Sequence, residues 1–249
     1  TAIRGGFGVF YGGYATELFG NYFVRQPPLI QVPIVYYSQI SQLAGSQGFS
    51  FPSANTYAVD ATGTLPRTMN FSLSLQRRLG ATLIDVGYVG SLARHLQWMR
   101  GLNDIGLGAN FLPQNQDATS PGKPLPANFL RLIPGYGPIL NIEMAGSSNY
   151  HSLQASARRR FARRLQFGAA WTWSKAMDFN DTDQSSVTNL VNLRTWSYGL
   201  ASFDRTHIVK LNYLYEIPNL PVRNSILRGA LHGWQLSGIT SFISGQPLG

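Results

Sequence analysis

The segment MDFNDTDQ crowds four oxygen-bearing side chains together, Asp178, Asn180, Asp181 and Asp183. Hard carboxylate and amide oxygens at this density are ligand chemistry for Ca2+. The segment lacks the glycine and the distal glutamate of an EF-hand loop, so a solvated loop after a strand stands beside the Ca2+ reading. The second concentration is cationic: ARRRFARRL (157–165) sets five arginines around a tight turn. Guanidinium groups pair with phosphate, yet no recognition-helix pattern accompanies the run. Turn residues against phosphate headgroups are expected here, and nucleic acid is not an expected partner. His95, His151, His207 and His232 are far apart, without the H-x3-H or HExxH spacing of zinc sites. No G-x-S-x-G is present, Gly122-Lys123 is followed by Pro124 rather than completing a phosphate loop, and the glycines of IRGGFGVFYGG do not spell a dinucleotide fingerprint. The residues predict no catalytic group, no bound cofactor, no metal ligand and no enzyme.

What these residues sit on is legible from a period of two, which sends alternate side chains to opposite faces of a strand. In 67–79, Met69, Phe71, Leu73 and Leu75 oppose Asn70, Ser72, Ser74 and Gln76. In 165–175, Leu165, Phe167, Ala169, Trp171 and Trp173 oppose Gln166, Gly168, Ala170, Thr172 and Ser174. In 207–217, Val209, Leu211, Tyr213, Tyr215 and Ile217 oppose Lys210, Asn212 and Glu216, with Ile208 and Leu214 breaking the polar set. Weaker alternation covers 3–11, 81–91, 152–161 and 234–244, which makes seven expected strands of about ten residues. Globular strands usually run five or six residues, whereas a tilted strand crossing a bilayer needs about 9–11. A soluble antiparallel sandwich alternates in the same way. The length of the ladder and its aromatic ends, Trp171/Trp173 at one and Tyr213/Tyr215 at the other, favour a membrane barrel with interfacial belts. Gln154, Ser156 and Gln166 then join Asn70, Ser72, Ser74, Gln76, Thr172, Lys210 and Asn212 as a neutral-polar lining.

The connections alternate in length. Tight links at 77–81 and 161–164 and a moderate one at 218–233 are separated by long Gly-, Pro-, Asn-, Gln- and Ser-rich stretches at 12–66, 92–151 and 176–206. Structureless loops beyond about 12–15 residues are uncommon in compact soluble domains. Outer-membrane barrels have short turns on the periplasmic rim and long loops outside. Seven strands is odd, and an open spanning sheet would leave unpaired backbone groups in hydrocarbon. The fold expected is therefore all-β: a partial transmembrane antiparallel β-barrel of about seven or eight long meander strands with long external loops.

Composition agrees. Of 249 residues only 20 are Lys or Arg and 11 Asp or Glu, a charged share of 12% against roughly 25% in soluble domains, and there is no cysteine for a disulfide or thiolate metal site. The basic excess is almost all arginine, lysine occurring only at Lys123, Lys175 and Lys210. No run approaches the roughly 20 apolar residues of a spanning helix. The opening TAIRGGFGVFYGG carries no initiating Met and no signal-peptide pattern, so residues 1–249 are expected to be a fragment of a single barrel domain.

IRGGFGVFY (3–11), SLQRRL (74–79), DVGYVGSLARHL (85–96), NYHSLQASARRRF (149–161), LQFGAAWTWSKAMD (165–178), FDRTHIVKLNYLYEIP (203–218) and GWQLSGITSFISGQP (233–247) together resemble the barrel of TonB-dependent outer-membrane receptors of the Oar-like type. Those proteins usually carry an N-terminal carboxypeptidase-regulatory-like domain. The resemblance covers nearly all strand segments in order and none of the long loops. It implies a place in the outer membrane of a Gram-negative bacterium and a part in binding and importing a substrate. The partners it implies are outer-membrane lipid, a plug domain, the remaining barrel strands and the TonB energy-coupling system. It transfers no catalytic residue. The alternatives are a passive porin-like or structural, adhesive barrel and, further off, a secreted carbohydrate-binding β-sandwich.

Overall fold

The computed structural model describes residues 1–13, 21–26, 29–30, 34–41, 49–51, 55–182, 185–219, 221 and 225–247. Seven long strands form one antiparallel meander in chain order: β1 (Ala2–Tyr11), β2 (Arg67–Leu79), β3 (Thr82–Gly101), β4 (Ile139–Ala162), β5 (Leu165–Asp178), β6 (His207–Glu216) and β7 (Gln235–Ile243). Among the described residues β1 pairs only with β2 and β7 only with β6, so the sheet does not close. It is the curved wall of a partial barrel.

The short links have the geometry their residues allow. Leu79 pairs with Thr82 across Gly80 and Ala81, with Gly80 at φ +59°. Ala162 pairs with Leu165 across Arg163 and Arg164, at φ +51° and +66°. Positive φ at the central residues matches the right-handed twist of the flanking strands. A seven-residue helix, Ser225–Leu231, lies in the link before β7.

Strand bounds follow the alternation closely except in β3 and β4. The expected strands 81–91 and 152–161 continue to Gly101 and begin already at Ile139, so much of the connection expected over 92–151 is sheet. Two causes hid this. His95 adopts φ +58° and the pairing slips between Arg94 and Gln97, a bulge that breaks the alternation. Beyond it both faces are covered, Trp98 and Met99 being buried side by side, and a strand covered on both faces does not alternate. At 20 and 24 residues these strands reach roughly 65–80 Å, far beyond a bilayer crossing.

The extension carries the core. Thr56–Val59 joins its flank in parallel pairing with β4, and Ser186–Thr188 joins in parallel pairing with β3. Met99 and Ile142 are buried between them, with Tyr22, Phe23, Tyr57 and Leu140 packed around. Below the extension the sheet is bare: Ile3, Phe7, Leu73 and Phe242 are between 60% and 74% exposed.

Candidate functional site: the inner wall and the loop-end cap

The pairing register aligns side chains in rows across all seven strands. One row reads Ile3, Leu75, Val86, Ala155, Trp171, Val209, Phe242. The next, on the opposite face, reads Arg4, Ser74, Gly87, Gln154, Thr172, Ile208, Ile243. The apolar rows form an outer face and the polar rows an inner one. Each of the ten residues expected to line the interior, from Asn70 to Asn212, falls on the inner face.

The apolar band lies obliquely across these rows. Its lower edge is at Ile3 on β1 but at Trp234 beneath β7, and Trp234 is eight residues below Phe242, the residue in register with Ile3. Eight residues of drift over six strand-to-strand steps, at roughly 3.3 Å rise and 4.8 Å spacing, is a tilt of about 40°. The upper edge drifts alike: Tyr11 closes the band on β1, six residues above Gly5, whose row ends five steps away at His207. Barrel strands tilt by about 35–45°, so the apolar residues are placed for a flat layer crossing tilted strands. Aromatic groups with polar tips mark the upper edge. The Trp171 Nε1 donates to His207 Nδ1 at 3.3 Å with the rings stacked, and Tyr88 Oη lies 2.6 Å from His151 Nδ1. Tyr213 and Tyr215 stand at the lower edge, as expected of belts.

The inner wall is mostly neutral and hydrogen-bonded to itself. Gln76 donates to Asp85 at 3.3 Å, Gln154 to Ser152 at 3.2 Å, and Ser152 to the Val89 carbonyl at 3.3 Å. Its exception escaped the sequence reading except at Ile208 and Leu214. Phe10, Ile239 and Ile243 also point inward, and they are 60%, 86% and 56% exposed. The signal that finds them is phase: Ile239 pairs with Asn212, not with Leu211.

Above the band the extension makes a built cap. Glu143 binds Arg100 at 2.7 Å, accepts from Trp98 Nε1 at 3.2 Å and from Asn141 at 2.9 Å. The Arg100 guanidinium lies over the Trp98 ring, which meets Phe179 edge-on at 5.4 Å. Asn103, wholly buried, donates to the Ile133 and Gly137 carbonyls and accepts from the Ile133 N–H at 2.6 Å, folding the loop 103–137 back on itself. Asp204, also buried, accepts from the Ala176 N–H at 2.7 Å.

The acidic segment is divided rather than gathered. Asp181 accepts from the Ser202 N–H at 2.9 Å, Asn180 donates to the Thr182 carbonyl, and Asp183 lies outside the described residues. Among the described residues no group of three or more His, Asp or Glu is placed to hold a metal ion. The four histidines are likewise not brought together. Asp178, at the top of β5 and above the apolar band, is buried, and desolvation together with the Asp181 charge pushes its carboxyl up to about 6. An ordinary aspartate titrates near 3.9, so the folded cap holds the proton more tightly than the unfolded chain does. The resulting stability is complete below about pH 4 and is lost as pH rises through about 6. Hydrogen exchange at Gly199–Leu200, which pairs with Met177 and Asp178, is expected to show declining protection from pH 5 to 8. The D178N variant should hold its protection across that range.

The family described as the outer membrane beta barrel domain matches residues 1–249. No curated protein matches the chain at a significant level. Among solved structures it is similar to the outer membrane transporter YddB from Escherichia coli, with 13% sequence identity and a TM-score of 0.48. The match covers 97% of this chain and 31% of that one, so the chain spans about a third of that protein's length.

Proposed function

The chain belongs to the outer membrane beta barrel domain family and its place is the outer membrane; from that premise we propose that it forms wall strands of a TonB-dependent receptor that binds and imports a substrate. The short turns face the periplasm and the cap faces outward. The lumen is filled by a plug domain of the same protein, and uptake draws on the TonB system. The wall is a conduit and carries no catalytic centre. It touches outer-membrane lipid on one face and the plug on the other.

The observation that carries this reading is the apolar exception on the inner wall. A water-filled pore has a polar interior, and Phe10, Ile239 and Ile243 would stand in it unpaired. Ile243 pairs directly with the inward-facing Ile208, and Ile239 lies on the same face of β7. Contiguous exposed apolar groups on an otherwise polar surface mark a contact, and a plug packed against the wall covers them. The resemblance of the strand segments to Oar-like receptors supports the same conclusion.

The test is substrate uptake by cells making the full-length protein, with and without TonB. Uptake is expected to stop when TonB is removed. Uptake that continues unchanged identifies a passive barrel instead. The double variant I239N/I243N is expected to keep the barrel folded but loosen the plug, seen as higher ion conductance in a planar bilayer.

A further inference from the structure

The arginines that look like a single run in sequence are sorted by the register. Arg77 pairs with Ile84 and turns outward at the lower rim, while Arg78 turns inward. Arg158, opposite Leu83 on β3 and Gly168 on β5, lies in the same inner row as Arg78. These two border a cavity of about 690 Å3 at the short-turn end together with Arg159, Arg160, Gln166 and Asn212. No carboxylate lines it. Arg78 spends its Nε on the Gly80 carbonyl at 3.0 Å and keeps both Nη groups for a ligand. Arg158 and Arg160 make no side-chain hydrogen bond or ion pair to any described residue, whereas Arg159, paired with Thr82 and Phe167, belongs to the outer row and donates to the Ala162 carbonyl. Asp85, on the same face two residues above Leu83, is engaged by Gln76 and pairs with none of them. The Asn212 amide is held across Gly168, where even a Cβ would collide with its Oδ1.

Three guanidiniums on one inner face, those of Arg78, Arg158 and Arg160, without a counter-charge repel one another, and planar forks of N–H donors fit phosphate or carboxylate in bidentate pairs. The volume suits a small ligand. Arginine clusters on a pore wall are the means by which anion and phosphate conduits select. We infer that this cavity is an oxyanion site on the inner wall, built by Arg78, Arg158 and Arg160 with Gln166 and Asn212 as neutral partners. It takes solutes bearing phosphate or carboxylate groups at the periplasmic end of the conduit. The inference rests on the reading of the polar face as the lumen and names the substrate class for the proposed import.

Calorimetric titration of the detergent-purified full-length protein with inorganic pyrophosphate tests it, with heat-modifiable gel migration reporting a folded barrel. Wild type is expected to bind saturably. R158Q/R160Q should bind roughly tenfold more weakly or worse, and R158K/R160K, keeping charge but losing the fork, should fall between. R163N/R164N removes the same charge from the adjacent turn, where asparagine tolerates positive φ, and should bind like wild type. Equal losses in R158Q/R160Q and R163N/R164N would reduce the effect to net charge and overturn the inference, as would no saturable binding by wild type. The titration needs neither TonB nor uptake, so its failure leaves the transport reading standing, and failure of TonB dependence leaves the site standing.

Discussion

Replacing Val86 with arginine is expected to cost about 2–4 kcal/mol of folding stability in a lipid bilayer, the range for a charge on the lipid face near the membrane midplane. Val86 lies on the outer face between Leu75 and Ala155, near the middle of the apolar band on β3. Gln154, one row up on the neighbouring strand, faces inward beside Gly87 and Thr172. The same arginine at Gln154 meets a hydrated, hydrogen-bonding wall and should change stability by no more than about 0.5 kcal/mol, as an ordinary exposed substitution does. Urea unfolding of the full-length protein in vesicles reads both. The contrast between two sites so close together follows from the face each occupies, because both variants add one positive charge and the strand-propensity scale spans only about 1 kcal/mol.

Trp98→Ala carries the largest local cost. The ring is 4% exposed, meets Phe179 edge-on, lies beneath Arg100 and donates to Glu143. Truncating a buried tryptophan costs about 3–5 kcal/mol, and Glu143 loses one of its donors besides. The expected result is selective: proteolytic nicking within the loop 103–137 rises sharply while the seven-stranded wall keeps its heat-resistant migration. W98F should restore most of the packing without the Nε1 donation and fall between. Loss of the whole barrel would mean that the cap and the wall fold as one unit.

The wall was legible in the sequence and the cap was not, for a physical reason. A strand with lipid on one face and water on the other must alternate, so Met69, Phe71, Leu73 and Leu75 announce both the strand and its outer face. The top of β3 has no such contrast. Trp98 is covered by Phe179 and Met99 by Tyr22, Phe23 and Tyr57, all distant in sequence, and the bulge at His95 shifts the phase just before them. Asn103 reads as a loop asparagine until its four hydrogen bonds to the backbone of Ile133, Tyr136 and Gly137 are seen. The acidic residues are close in sequence and part in space: Asp178 ends β5 and Asp181 accepts from the Ser202 amide. The arginine run shows the opposite case. Five cations around one turn read as a single patch, and only the pairing of Arg158 with Leu83 and Gly168 reveals which of them look into the lumen.

The central claim is that the two faces of this sheet meet lipid and lumen, and the 249 residues contain no cysteine, which opens a direct measurement. Single cysteines placed in turn from Thr68 to Gln76 of the full-length protein can be spin-labelled and read for collision with oxygen, which partitions into lipid, and with a water-soluble nickel complex. Oxygen access should peak at Met69, Phe71, Leu73 and Leu75 and fall at Asn70, Ser72 and Ser74, with a strict period of two. Water access without alternation along that strand would contradict the barrel wall and return the sheet to a soluble fold.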